Sequence, residues 1–232
     1  MIFQDRSEAG KALAAALAAK EYDSPVILAL PRGGVPVAIE VSRALKAPMD
    51  LIMVRKIGAP GQPELAVAAV VNGDDPQIVV NEAIARSFRL SRAEIEEMSK
   101  PRLGEIWRRR ELYLKGRRRL LLEGRTVIVI DDGIATGATV RASLSAVRAR
   151  GPAKLVLAVP IAAPDVAQEL ADEVDEFICL HRPTPFGAIG RFYADFPQTP
   201  DSEVIAALDE AETVAEDALD NAQINRPRTL HD

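Results

Sequence analysis

Four short apolar runs set the strongest limit on what this chain can become. They lie at residues 26–30, 126–130, 155–159 and 177–180, and stretches with helical patterning separate them. A half-buried strand alternates apolar with polar residues. A run of Val, Ile and Leu with almost no polar position suits a strand covered on both faces. Such strands, alternating with helices, predict an α/β fold: a doubly wound parallel sheet with right-handed crossovers. Leu51-Ile52-Met53-Val54 adds a further strand. Ligands of these sheets bind outside the carboxyl ends of the strands, and the glycine-rich segments fall at those ends.

The 232 residues suit one large domain carrying an insertion. An apolar content of 48% excludes wholesale disorder. No apolar run approaches the ~20 residues that span a bilayer. The stretch 13–19 is short, alanine-rich and bracketed by Lys11 and Lys20, so neither a signal peptide nor a membrane partner is expected. The cytoplasm is the default location. A lone cysteine, Cys179, excludes an internal disulfide or a cysteine-based zinc site, and two histidines make no His-rich metal site. The net charge of −5 argues against general nucleic-acid affinity.

Local signals place the other elements. Asp5-Arg6-Ser7-Glu8 has the form of a capping box, with a helix to about residue 20. Pro36 suits the first turn of a helix reaching about residue 46. The Gly/Pro-rich stretch 56–63 reads as a mobile loop. Runs at 66–71 and 78–80, flanking Asn72-Gly73-Asp74-Asp75-Pro76, predict a hairpin with a long turn. Residues 81–120 read as a charged helical insertion with a capping box at Ser91 and Glu94. Further helices are expected at 138–150, stopped by Gly151-Pro152, and at 165–172. Residues 181–200, rich in Pro and aromatics, form a small C-terminal hood. A last helix starts after Thr199-Pro200. Apolar density drops from about Thr213, so 1–210 is read as a single domain and 211–232 as a helix end and flexible tail.

The most informative segment is Val127-Ile128-Val129-Ile130-Asp131-Asp132-Gly133-Ile134-Ala135-Thr136-Gly137-Ala138-Thr139. Four aliphatics end a strand, two acids sit at its carboxyl edge, and Thr-Gly-x-Thr opens a helix. Free N–H groups at a helix start bind phosphate, and the helix dipole helps. Thr136 and Thr139 add hydroxyl donors, while Asp131 and Asp132 suit sugar hydroxyls or magnesium. Together these describe a site for a ribose phosphate. Two plainer readings compete: a strand-to-helix turn with Asp and Thr as caps, and a Walker-B-like strand end. The second needs a Gly-x-x-x-x-Gly-Lys-Ser/Thr loop, which is missing, as is Gly-x-Gly-x-x-Gly.

This segment resembles the 5-phosphoribosyl-1-pyrophosphate (PRPP) motif of the type I phosphoribosyltransferases, and the spacing matches throughout. Leu30-Pro31-Arg32-Gly33-Gly34 is similar to that family's pyrophosphate loop. Arg55-Lys56 with the following Gly/Pro stretch looks like the start of its catalytic flexible loop, although a solvated charge pair reads equally well. The resemblance covers roughly residues 5–210 apart from the insertion. The insertion, with Arg108-Arg109-Arg110 and Tyr113, resembles a less characterised bacterial branch.

The resemblance implies transfer of phosphoribosyl from PRPP to a nitrogen of an unidentified base, as in nucleobase salvage, with pyrophosphate released. Asp131 and Asp132 would hold the ribose hydroxyls and, directly or indirectly, Mg²⁺. Ala135, Thr136, Gly137, Ala138 and Thr139 would hold the 5-phosphate. Arg32, Gly33 and Gly34 would face pyrophosphate, and Arg55 and Lys56 would serve catalysis. Two positions depart from the family pattern. Gly133 replaces a bulky aliphatic. Ala135 replaces the aspartate of 6-oxopurine enzymes, which weakens the case for hypoxanthine or guanine.

Base recognition would fall to the hood, where Phe186, Phe192, Tyr193 and Phe196 gather four of the ten aromatics. Phe186 and Tyr193 are the base-binding candidates, although a core role fits each of the four. Asp195 suits a base, a metal or a cap. His181 reads as structural and Cys179 as a buried, inert thiol. The basic residues Arg108, Arg109, Arg110, Lys115, Arg117, Arg118 and Arg119 read as a solvated face paired with Glu105 and Glu111. An acidic stretch follows Arg191 and offers them partners. A subunit interface fits too, and a homo-oligomer is expected. The alternative function is a PRPP- or nucleotide-sensing regulator whose basic insertion binds RNA or protein.

Overall fold

The computed structural model describes residues 2–71, 76–117 and 119–224. Five strands form the parallel sheet: β1 (Val26–Ala29), β2 (Met49–Leu51), β6 (Thr126–Ile130), β7 (Lys154–Ile161) and β8 (Glu176–His181). Their order is β2-β1-β6-β7-β8, and every pairing is parallel. The expected α/β class and doubly wound sheet are therefore present.

The apolar runs divide by alternation between two cores. Ile27, Ala29, Ile128, Ile130, Val156 and Ala158 face one side. There α1 (Arg6–Ala18), α2 (Gly34–Leu45) and α7 (Asp201–Ile224) supply Leu13, Leu17, Val37, Val41, Val204 and Leu208. Val26, Leu28, Val127, Val129, Leu155 and Leu157 face the other side. They meet Val140, Leu144, Val147, Ala167 and Leu170 from α5 (Ala138–Arg148) and α6 (Pro164–Ala171). Each fully buried Val, Ile or Leu among them contributes about 1.5–3 kcal/mol relative to exposure.

A second, antiparallel sheet corrects the expectation of a mobile loop at 56–63. There β3 (Val54–Ala59) pairs with β4 (Gln62–Val71), which pairs with β5 (Gln77–Val80). Only Pro60 and Gly61 turn the first hairpin, with Gly61 at φ +73°. Ile57 and Ala59 are buried while Lys56 between Arg55 and Ile57 is exposed, the period of a one-sided strand. The density of Gly and Pro hid that alternation. The run 51–54 is likewise split, with Leu51 ending β2 and Val54 opening β3. The turn expected at 72–75 lies outside the described residues.

The insertion is helical, as expected: α3 (Glu82–Ser87) and α4 (Arg92–Leu114). Ser91 and Glu94 close a reciprocal capping box at the start of α4. Ile95, Ile106 and Tyr113 carry α4 into the first core. At the other end of the chain, α7 continues to Ile224 instead of fraying at Thr213. Val204, Ala207, Leu208 and Ala211 bury its first half. Residues 225–232, with Arg118 of the basic cluster, lie outside the described residues.

Candidate active site

At the carboxyl end of β6 the backbone delivers Asp131 and Asp132 to the edge of the sheet. Oδ1 of Asp131 accepts the Asp132 N–H at 2.9 Å. Burial, and then the charge of Asp132, push the Asp131 carboxyl well above the ordinary carboxylate range. Burial raises Asp132 too, against the pull of Arg6.

The loop after β1 is pressed onto this acid pair. A Cβ on Gly33 would stand 2.2 Å from Asp132 Oδ2, and one on Gly34 would stand 2.8 Å from the Ile130 carbonyl oxygen. Only glycine lets the two strand ends approach this closely, so Gly33 and Gly34 serve packing here as well as any ligand. Arg32, from the same loop, pairs with Asp201 at 3.3 Å, and Tyr113 donates its hydroxyl to the same carboxylate. Arg32 thus ties the loop to the start of α7 and, through Tyr113, to the insertion. Burial and Asp201 push the Tyr113 hydroxyl up to about 12.

Beyond the acids, Ile134 bridges to Ala162 and holds the loop against the end of β7 through two backbone hydrogen bonds of 2.9 Å. Gly137 then caps α5 with φ +72°, and a Cβ there would meet Val166 at 2.8 Å. Ala135 and Thr136 form the bend that leads to Gly137, and Ala138 and Thr139 open α5, whose first N–H groups have no carbonyl one turn back. Gly133, one of the two departures from the family pattern, has a packing reason: a Cβ there would stand 2.8 Å from Ile189 of the hood.

Arg55 and Lys56 lie next to each other on β3. A cavity of about 470 Å³ lies between them, Pro31 and Thr139, and Arg102 of α4 also lines it. Arg55 contacts Glu105 at 3.3 Å. Burial, with Arg109 next, makes the Arg55 proton easier to lose than an ordinary arginine's. One cleft thus brings together the loop after β1, the two basic residues of β3 and the last threonine of the phosphate-loop candidate.

The hood has a component not expected from sequence. Phe3 pairs with Tyr193 in a short parallel bridge, and the backbones of Phe3 and Gln4 bond to Phe192, Ala194 and Asp195 at 2.8 Å. The N-terminal segment is therefore part of the hood. Tyr193 is 5% exposed, stacks on Phe196 at 4.9 Å between centroids, and donates its hydroxyl to the Asp132 carbonyl at 2.6 Å. Phe186 is half-buried against Phe192, 5.5 Å away. His181 stands beside Phe3 with ring centroids 5.7 Å apart. Half-buried Cys179 donates to the His181 carbonyl at 3.1 Å, and burial raises its thiol. Asp195 is exposed.

Arg6 is the residue sequence reading missed. Its Nε meets Asp132 Oδ2 at 2.8 Å, its guanidinium lies 3.7 Å over the Phe196 ring, and it donates to the Pro197 carbonyl at 2.7 Å. Its place inside a helix-start signal masked any other role.

The expected pairing of the basic cluster with Glu111 is present at Lys115, whereas Glu105 pairs with Arg102 and Arg55, which lie outside that cluster. Arg117 reaches Asp209 and Glu212 on α7. Arg108 is exposed, whereas Arg109 and Arg110 are half-buried.

A family model for the phosphoribosyl transferase domain matches residues 5–195. The chain belongs to the phosphoribosyltransferase family. Two Mycobacterium tuberculosis proteins provisionally named phosphoribosyl transferases, MT0597 (strain CDC 1551) and Rv0571c (strain H37Rv), are each 46% identical over 210 residues. That match covers 90% of this chain and 47% of each relative, so this phosphoribosyltransferase-family chain spans about half their length. The crystal structure of TT1426 from Thermus thermophilus superposes with a TM-score of 0.82 at 40% identity, covering 90% of this chain and 99% of that one. Among the described residues, no helix is long and apolar enough to cross a membrane.

Proposed function

We propose that this chain transfers the 5-phosphoribosyl group from PRPP to a nitrogen of a planar, base-like acceptor and releases pyrophosphate. The observation that carries this reading is a convergence. The acid pair Asp131–Asp132, the glycine loop lying on it and the helix start at Gly137 meet at one edge of the sheet. Three ligand chemistries are thereby served within one site: a diol, a diphosphate and a monophosphate.

In the proposed step the bond from ribose C1 to the diphosphate oxygen breaks, and its electron pair leaves with the diphosphate. A bond from the acceptor nitrogen to C1 forms on the opposite face, and the nitrogen gives up its proton. The transition state carries positive charge at C1, so positioning and charge complementarity supply most of the rate. One oxygen of each carboxylate already has a partner, the Asp132 N–H or Arg6. The second oxygen of each would accept a ribose hydroxyl. The bend and helix start at 135–139 would hold the 5-phosphate. Phe186 and Phe192 would offer planar surface to the acceptor, while Tyr193 supports Asp132 from beneath.

Magnesium fits this donor set as a substrate-borne ion. Among the described residues no group of three or more His, Cys, Asp or Glu could hold a metal. Two adjacent carboxylates suit an ion that takes its other ligands from phosphate and water. When bound, it would neutralise the leaving diphosphate.

The test is pyrophosphate release from PRPP and Mg²⁺ with a panel of purines, pyrimidines and other nitrogen nucleophiles. Release that needs one acceptor class supports the reading. No turnover with any acceptor, despite PRPP binding, contradicts it.

A further inference from the structure

The cleft between β3 and the insertion carries more positive charge than the family resemblance assigned to it. Three cationic side chains line it: Arg55 and Lys56 from β3 and Arg102 from α4. Among the described residues, Glu105 is the acid paired with two of them: Arg55 meets it at 3.3 Å and Arg102 at 2.8 Å. One carboxylate shared by two guanidiniums, with Lys56 beside them, leaves a net positive wall among the described residues, across the cleft from Pro31 and Thr139. Arg109 adds to that field at Arg55. Clustered, incompletely neutralised arginines raise the local concentration of anions and suit multidentate phosphate contacts.

Resting on the proposed phosphoribosyl transfer, we infer that Arg102 of the insertion is a ligand-binding residue, which joins Arg55 and Lys56 in holding a diphosphate. The insertion then has a chemical purpose: it brings a third cation to a cleft whose other walls come from β3, the loop after β1 and the start of α5. Glu105 holds Arg102 and Arg55 side by side until an anion takes its place between them. The ligand class is a diphosphate, either as the leaving portion of PRPP or as free pyrophosphate.

Pyrophosphate and PRPP, each with Mg²⁺, are titrated into the full chain and into Arg102→Gln, Arg102→Lys and Arg92→Gln. Trp107, the single tryptophan, lies on the same helix and is 51% exposed, so its fluorescence offers a local signal beside calorimetry. Arg92, paired with Glu96 near the start of α4, controls for loss of a charge away from the cleft. Arg102→Gln is expected to weaken both ligands roughly ten-fold, the scale of one charge-assisted hydrogen bond. It should also flatten the salt dependence of binding without moving the unfolding midpoint. Arg102→Lys should fall between, and Arg92→Gln should match the parent.

Pyrophosphate affinity unchanged by Arg102→Gln overturns the inference. If PRPP still binds and still needs Asp131 and Asp132, the phosphoribosyl reading survives that loss. Arg102-dependent pyrophosphate binding without any PRPP binding supports the anion site and overturns the phosphoribosyl reading. No binding of either ligand overturns both.

Discussion

Arg6 and Asp132 form an ion pair across 126 residues of sequence, with Nε 2.8 Å from Oδ2. Their side chains are 11% and 12% exposed. The pair links the start of α1 to the acid that closes β6, and Phe196 lies against the other side of the guanidinium. Arg6→Ala would leave a nearly buried carboxylate without its cation. Removing one partner of a buried pair costs about 3 kcal/mol or more. Urea unfolding should show a loss of that order, and Arg6→Ala with Asp132→Asn should recover much of it. Additive losses in this double-mutant cycle would show that the pair is not coupled.

Asp131 is expected to cost stability in its ionised form. Its folded value is raised, first by burial and then by Asp132. The folded chain therefore keeps a proton that the unfolded chain has released. The stability this contributes is complete below the unfolded carboxylate value and is lost as pH rises through the folded value. Asp131→Asn removes that loss, and its amide oxygen can still accept the Asp132 N–H. Thermal melts should place this variant roughly 2–4 °C above the parent at pH 8. The gap should close as pH falls below the ordinary carboxylate range. A gap independent of pH would contradict the assignment.

Glycine matters at Gly33 for a steric reason, not as a general loop preference. With a Cβ 2.2 Å from Asp132 Oδ2, Gly33→Ala must displace either the loop or the acid. A loss of more than about 1 kcal/mol is expected, the cost of overpacking, together with weakened PRPP binding. Gly104 on α4 is the contrast, because nothing lies within 4 Å of its Cβ position. Gly104→Ala should stabilise the chain by about 0.5–1 kcal/mol through helix propensity. Differential scanning calorimetry of the two variants checks both signs.

The insertion and the last helix are joined by charge. Arg117 pairs with Asp209 and Glu212 and donates to the Leu208 carbonyl at 3.1 Å. Its acidic partners are exposed by more than half, so solvent screens the interaction. Arg117→Ala should therefore cost about 1 kcal/mol or less, and less still at high salt. An effect unchanged by 1 M salt would show packing to be the cause.

The parallel sheet was legible because its strands are buried on both faces and so read as unbroken apolar runs. The motif at residues 127–139 was legible for a related reason: strand, acids and helix start are contiguous, so spacing alone describes the geometry. Contacts distant in sequence left no such trace. The pairing of Phe3 with Tyr193 and the reach of Arg6 to Asp132 have no local pattern. The β3–β4 hairpin was hidden because its Gly and Pro residues outweighed a short alternation at 54–59. Arg102 was not singled out in the sequence, since a helix face does not reveal which cleft it borders.

The central claim is that Asp131 and Asp132 hold the ribose of PRPP. Calorimetric titration of PRPP with Mg²⁺ into the parent chain and into the Asp131→Asn, Asp132→Asn double variant tests it most directly. Saturable binding by the parent is expected, weakened at least roughly ten-fold in the variant by loss of two charged acceptors. Equal affinity in the two proteins would contradict it.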